Sequence, residues 1–156
     1  MKLLPVLQAV LFAVGKQPIT WIIDGNNVMA HKGTPIDRIT LAKKLEPIQG
    51  ADAVVLVFDG RPGDETSKVS EGILQTVSLG EGITSDDYII QEVMDLVESI
   101  PKRRVQVVTA DRELRRIVLK NKAVVHRVVN PVTFWRRYLP RLCGLKLREP
   151  VEEEVV

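Results

Sequence analysis

Trp21-Ile22-Ile23-Asp24-Gly25-Asn26-Asn27-Val28 decides how the rest of the chain is read. Thr20 to Ile23 suit a buried strand, and the glycine and asparagines behind Asp24 suit a sharp turn. In an open α/β sheet, ligands bind at the carboxyl ends of the strands. A carboxylate at the end of the first strand therefore stands where chemistry usually happens, if other acids arrive at the same edge.

Working outward, Ala53 to Phe58 is a continuous apolar run of the kind buried on both faces, and it ends in Asp59-Gly60. Val105 to Thr109 is a third such run, with Asp111 two residues on. Ala123 to Val129 is a fourth. Leu74 to Leu79 reads as another strand. After it, Gly80-Glu81-Gly82 turns the chain into a helix over about 85–99, opened by Asp86 and Asp87. Ile89, Ile90, Val93, Met94 and Val97 form its apolar face.

Thr34-Pro35-Ile36-Asp37 has the pattern of a capped helix start, followed by Ile36, Ile39, Ala42 and Leu45 on one face. Arg61 to Gly72 reads as a surface loop. A helix follows Asp111 to about Lys120, and Asn130-Pro131 opens a last helix with Phe134, Trp135, Tyr138 and Leu139, which Pro140 bends or ends. Strands alternating with helices give an α/β domain with a mostly parallel sheet.

The domain is expected over residues 1–148. Within it, 1–15 form an apolar helix, and 149–156 form a frayed acidic tail. Lys2 before the apolar run, and Ala13-Val14-Gly15 after it, also match a secretory signal. The run is too short for a membrane span.

At 156 residues, with 45% apolar and 27% charged residues, the composition is that of a soluble globular domain. Cys143 is the only cysteine, which excludes an internal disulfide and a thiolate zinc site and fits the reducing cytoplasm. An organelle such as a plastid fits equally if a transit peptide has been removed. The net charge of +2 conceals an asymmetry. Residues 1–99 carry 8 Lys/Arg against 14 Asp/Glu, residues 100–148 carry 14 against 2, and the last eight carry four Glu. A basic block of that density suits either a solvated face or a polyanion held through its phosphates.

Singly, each acid has a structural role: Asp24 and Asp59 in turns, Asp86 and Asp87 at the positive end of a helix, and Asp111 as a cap. Their gathering at the carboxyl ends of strands is the informative part. Carboxylates that converge repel one another unless cations neutralise them, and hard oxygen donors suit Mg²⁺ or Mn²⁺. Such ions can activate a water and stabilise the leaving oxygen of a phosphodiester.

The chain resembles the NYN-type PIN-like ribonucleases, particularly the YacP-like group. The matching stretches are Ile22 to Val28, Val54 to Asp59, Thr84 to Ile90 and Val107 to Arg112, in the family's order. The resemblance implies a PIN-like three-layer α/β/α sandwich and a metal-dependent endoribonuclease acting on single-stranded RNA, a ribosome being one possible setting for the substrate. It also implies a catalytic set of Asp24, Asn27, Asp86, Asp87 and Asp111, with Asp24, Asp87 and Asp111 on the metal and Asn27 holding an acid or a water. Asn26 stands where tyrosine is frequent in the group, and Ala110 where serine or asparagine is common.

Arg61 and Lys68 in the expected loop, Arg112, Arg115 and Arg116 behind Asp111, and Arg136 and Arg137 beside Trp135 and Tyr138 are the expected RNA contacts. His31 and His126 each stand alone in sequence, which separates this reading from histidine acid–base ribonucleases. Asn26 lies where a haloacid-dehalogenase-type phosphatase needs its second aspartate, and a full glycine fingerprint for a nucleotide is lacking. The stronger rival is an RNA- or ribosome-binding module that keeps the fold without cleaving, against which the intact acids argue.

Overall fold

Continuous apolar runs become strands covered on both faces. The computed structural model describes residues 19–31, 37–100 and 102–144. Its elements are β1 (Ile19–Asp24), α1 (Gly25–Met29), α2 (Arg38–Leu45), β2 (Ala53–Phe58), β3 (Ser67–Glu71), β4 (Leu74–Ser78), α3 (Ser85–Val97), β5 (Arg104–Val108), α4 (Arg112–Val118) and β6 (Val125–Val129). The described chain closes with α5 (Pro131–Thr133), a π turn (Phe134–Tyr138) and α6 (Leu139–Leu142). The expected helix at 1–15, the cap at Thr34 and the tail at 149–156 lie outside the described residues.

The six strands form one sheet in the order β3-β4-β2-β1-β5-β6, parallel except for β3. Trp21, Ile23, Val54, Leu56 and Phe58 face one layer, where Leu41 and Leu45 of α2 and Phe134 of the closing helix pack. Ile22, Val55, Val57, Val105 and Val107 face the other, against Ile89 and Val93 of α3 and Leu114 and Val118 of α4. This is the expected three-layer α/β/α arrangement. Trp21 anchors the first layer, with its ring 5.2 Å from that of Phe134 and 5.5 Å from that of Tyr138.

From β1 the chain moves outward to β2 through α2, returns, and moves the other way through β5 and β6 with α3 and α4 on the opposite face. Crossovers of one hand require that change of face. The strand order therefore reverses beside β1, and the crevice at such a switch point opens at its carboxyl end. Asp24 is the last residue there.

Three local expectations need correction. The stretch 61–72 contains an edge strand, β3, antiparallel to β4 across a turn with Gly72 at φ 62°. All five β3 residues are exposed, so it carries no apolar alternation for sequence reading to detect. The cap of α2 is Asp37, which accepts the Thr40 N–H at 2.7 Å; Leu41 and Leu45 face inward and Ile39 is 71% exposed. Pro140 neither ends nor simply bends the last helix. It lacks the N–H that would bond Arg136, and the Leu139 N–H bonds the Phe134 carbonyl instead, producing the π turn.

The loops after β2 and β4 are zipped together at the same edge. Gly60 N–H bonds Ile83 O at 3.1 Å, Glu81 N–H bonds Asp64 O at 2.9 Å, and Gly80 N–H bonds Thr66 Oγ1 at 2.9 Å. A Cβ on Gly60 would lie 1.7 Å from the Gly80 carbonyl oxygen, a backbone atom that cannot turn aside. Gly60→Ala is expected to cost about 1–3 kcal/mol, read in urea as a lower midpoint with an unchanged slope. An unchanged midpoint would show that the two loops are not held in this contact.

Candidate active site

Asp24 is buried, with 3% of its surface exposed, and three separate segments supply it with donors. The Asn27 N–H reaches Oδ1 at 3.4 Å, the Ser85 hydroxyl donates to the same oxygen at 3.4 Å, and the Thr109 hydroxyl donates to Oδ2 at 3.2 Å. Burial raises the Asp24 pKa above its ordinary value; the Asn27 and Thr109 bonds oppose that rise, the nearby Asp59 charge adds to it, and the Ser85 bond opposes it. Asp24 is thus the cap of α1, as a turn residue would be, and also the floor of a pocket.

The two asparagines behind it are struts. Asn26 Oδ1 accepts the Asp59 N–H at 2.7 Å, tying the turn to the end of β2. Asn27 Oδ1 accepts the Ala110 N–H at 2.6 Å, tying it to the end of β5. The amide oxygen of Asn27 is therefore spent on backbone, and the role that the resemblance implies for it falls to the rest of the side chain. Gly25 leaves room for the Phe58 ring, which a Cβ would meet at 2.4 Å.

Asp59 Oδ1 accepts the Ser85 N–H at 2.7 Å, and its carbonyl accepts from Arg38 at 2.9 Å. Asp59 thereby seats the start of α3 so that the Ser85 hydroxyl meets Asp24. Successive helical residues turn by about 100°, so once Ser85 is fixed its neighbours diverge. Asp86 lines the pocket; Asp87 is exposed, outside the lining, with its N–H on the Thr84 cap at 3.2 Å. The site expected around Asp87 is built around Asp86 instead.

Asp111 completes the set. Its N–H donates to Thr109 Oγ1 at 3.1 Å, and its Oδ1 caps α4 through the Leu114 N–H at 2.9 Å. The pocket is lined by Asp24, Asn26, Asn27, Asp59, Asp86 and Asp111, among others, and holds about 330 Å³. Among the described residues, the only ion pair is Arg116 with Glu113, so none of the four pocket carboxylates has a basic partner.

That crowding shows in Asp86. Burial, the charges of Asp111, Asp24 and Asp59, and a hydrogen bond with Asp111 raise its pKa from 3.8 to about 6. The donor set, hard carboxylate oxygens in uncompensated excess, fits a divalent cation such as Mg²⁺ or Mn²⁺ in kind. Among the described residues, no three His, Cys, Asp or Glu side chains are already drawn tightly around one point. Only Asp24 is fully fixed by its donors; the others would close on an ion from the rim.

The basic residues separate into groups. Arg112 and Arg115 line a cleft with Thr109 and Ala110. Arg116 pairs with Glu113 on the exposed side of α4. Arg137 lines a cleft with Arg127, Tyr138 and Arg141 that shares no residue with the acidic pocket, and Arg136 is exposed. Arg61 is exposed in the loop after β2, and Lys68 lies on β3 with its ammonium 5.6 Å from the Tyr88 ring. Trp135 and Tyr138 pack against the core, and Tyr138 meets Trp21 edge-on, so neither is an open stacking platform.

Sequence reading missed Ser85 and Thr109 as partners of Asp24. Both lay within the quoted motifs, but a hydroxyl bond across 61 or 85 residues leaves no local pattern.

The pKa of Asp86 has a consequence for stability. A folded carboxyl that holds its proton more tightly than the unfolded chain stabilises most below pH 3.8, and that stability is lost as pH rises through about 6. Asp86→Asn should therefore melt higher than the wild type at pH 7 in EDTA, and fall less between pH 4 and pH 7. Equal melting temperatures at pH 7 would mean that the carboxylates do not repel as described.

The chain matches the family model for the YacP-like NYN domain over residues 21–129. Comparison with curated proteins returned no match. Among solved structures, it is similar to the crystal structure of a mutant of Rae1 (YacP) from Bacillus subtilis. The TM-score is 0.57 at 18% identity, covering 78% of this chain and 77% of that one. At that identity, the likeness speaks for the fold alone.

Proposed function

Because the chain belongs to the YacP-like NYN domain family, a family with the fold of RNA-acting nucleases, we propose that it is a divalent-metal-dependent endoribonuclease of single-stranded RNA. The observation that carries this reading is the gathering of Asp24, Asp59, Asp86 and Asp111 in one pocket at the switch point of the sheet, without a basic partner among the described residues. Asp24, Asp86 and Asp111 are the residues that would hold Mg²⁺ or Mn²⁺. When bound, such a cation supplies charge neutralisation and Lewis-acid activation of a phosphodiester and a water.

The chain's own residues supply the orientation. Thr109 and Ser85 keep both oxygens of Asp24 from rotating, which fixes one donor in advance. Asp59 holds the first turn of α3, and with it Asp86, against the pocket. Asn27 holds the turn before Asp111 at a set distance from Asp24. Without a cation, the four carboxylates repel a phosphate chain; with the charge neutralised, the same pocket admits it.

The test is cleavage of labelled single-stranded RNA with Mn²⁺. Asp24→Asn, Asp86→Asn and Asp111→Asn are each expected to lower kcat/KM by on the order of 10²–10³, the scale for losing one preorganised group that stabilises developing charge. Asp87→Asn is expected to cost less than about tenfold, the size of a contact outside the reacting centre. Wild-type activity in all four variants would sink the site. Salt-sensitive RNA binding without cleavage by the wild type would favour the binding module.

A further inference from the structure

Beside the carboxylate pocket lies a second cleft of about 280 Å³, lined by Thr109, Ala110, Arg112, Arg115, Val128 and Asn130. The two share one turn: Asp111 lines the acidic pocket, while Ala110 before it and Arg112 after it line the basic cleft. Thr109 joins them physically, because its hydroxyl serves Asp24 and Asp111 while the residue itself borders the cleft. Arg112 and Arg115 stand three apart on α4 and so share one face. Among the described residues, neither is ion-paired or hydrogen-bonded, whereas Arg116, one residue on, is held by Glu113.

We propose that this cleft is a phosphate subsite for the RNA strand whose scissile bond lies in the carboxylate pocket, taking the backbone phosphate next to the scissile one. It rests on the nuclease reading above and adds to it the direction in which the strand leaves, across Ala110 toward β6. Guanidinium forks match phosphate oxygens two at a time. Val128 gives the cleft an apolar wall, suited to the sugar beside that phosphate. The volume is below the roughly 300–1,000 Å³ of sites that enclose a whole small ligand, so the cleft fits one unit of a longer chain. Ala110, which replaces the more common polar residue, keeps the ridge between the two pockets low. The two arginines also oppose the field of the carboxylates at the point where a polyanion must approach them.

A dinucleotide has only the scissile phosphate and cannot use the subsite, whereas an octanucleotide can. With Mn²⁺, the wild type should cleave labelled octauridylate with a lower KM than uridylyl-uridine. The double variant Arg112→Ala/Arg115→Ala should raise KM for the octamer by about tenfold or more, the scale of charge-assisted contacts, and leave the dinucleotide little changed. The slope of log affinity against log salt for the octamer should shrink by about 1.4, at about 0.7 for each lost phosphate contact on a single strand. Lys43→Ala/Lys44→Ala removes the same charge from α2 and serves as the control, with melting temperatures recorded for all three proteins.

Equal losses on both substrates, or an octamer cleaved no better than the dinucleotide by the wild type, would overturn the subsite and leave the nuclease reading standing. If the wild type cleaves neither, the nuclease reading fails. The salt slope with Mn²⁺ then decides the cleft alone: a smaller slope in the arginine variant supports it, and an unchanged slope overturns it.

Discussion

A carboxylate with 3% of its surface exposed, and with no cation beside it among the described residues, constrains everything at this edge of the sheet. Removing an ionised carboxyl from water is costly unless donors replace the solvent. Asp24 receives three, from the turn of α1, the first turn of α3 and the end of β5. Those segments are brought together by the parallel pairing of β1 with β2 and β5. The fold and the site are therefore one arrangement, since the bonds that make Asp24 tolerable also set the positions of Asp86 and Asp111.

Around that fixed point, the pocket stores repulsion. Asp86 holds its proton to about pH 6 because three other carboxylates face it. Natural proteins accept such local cost where function needs it. The compensation lies in the core, where the central strands are buried on both faces and Trp21 packs against Phe134 and Tyr138. Against that background, an acidic rim is affordable, and the adjoining arginine cleft lowers its field from the side.

Much of this was legible in the sequence, for identifiable reasons. Ala53–Phe58 was read to the residue because a fully buried parallel strand is a continuous apolar run. Asp24 and Asp111 were found because each follows such a run. β3 was not, because a strand exposed along its length, held only by pairing with β4, shows no periodicity. The choice between Asp86 and Asp87 was beyond reach for a different reason: adjacent identical residues differ only by the phase of the helix, and Asp59 and Asp24 set that phase through Ser85 from far along the chain. Ile39 fell outside the core for the same cause, since Asp37 sets where α2 begins.

The asparagine struts have a further consequence. Asp59 N–H and Ala110 N–H both lie beyond the strand ends, where amides ordinarily open by local fluctuation. Here each is closed by a side chain rooted in α1, beside the most buried turn of the molecule. Their solvent exchange is thereby coupled to the opening of the central strands, so these loop positions share the cooperativity of the core. The carboxylates at the rim stay in register with one another in the metal-free protein, and loading an ion becomes a matter of side-chain rotation within a frame already set.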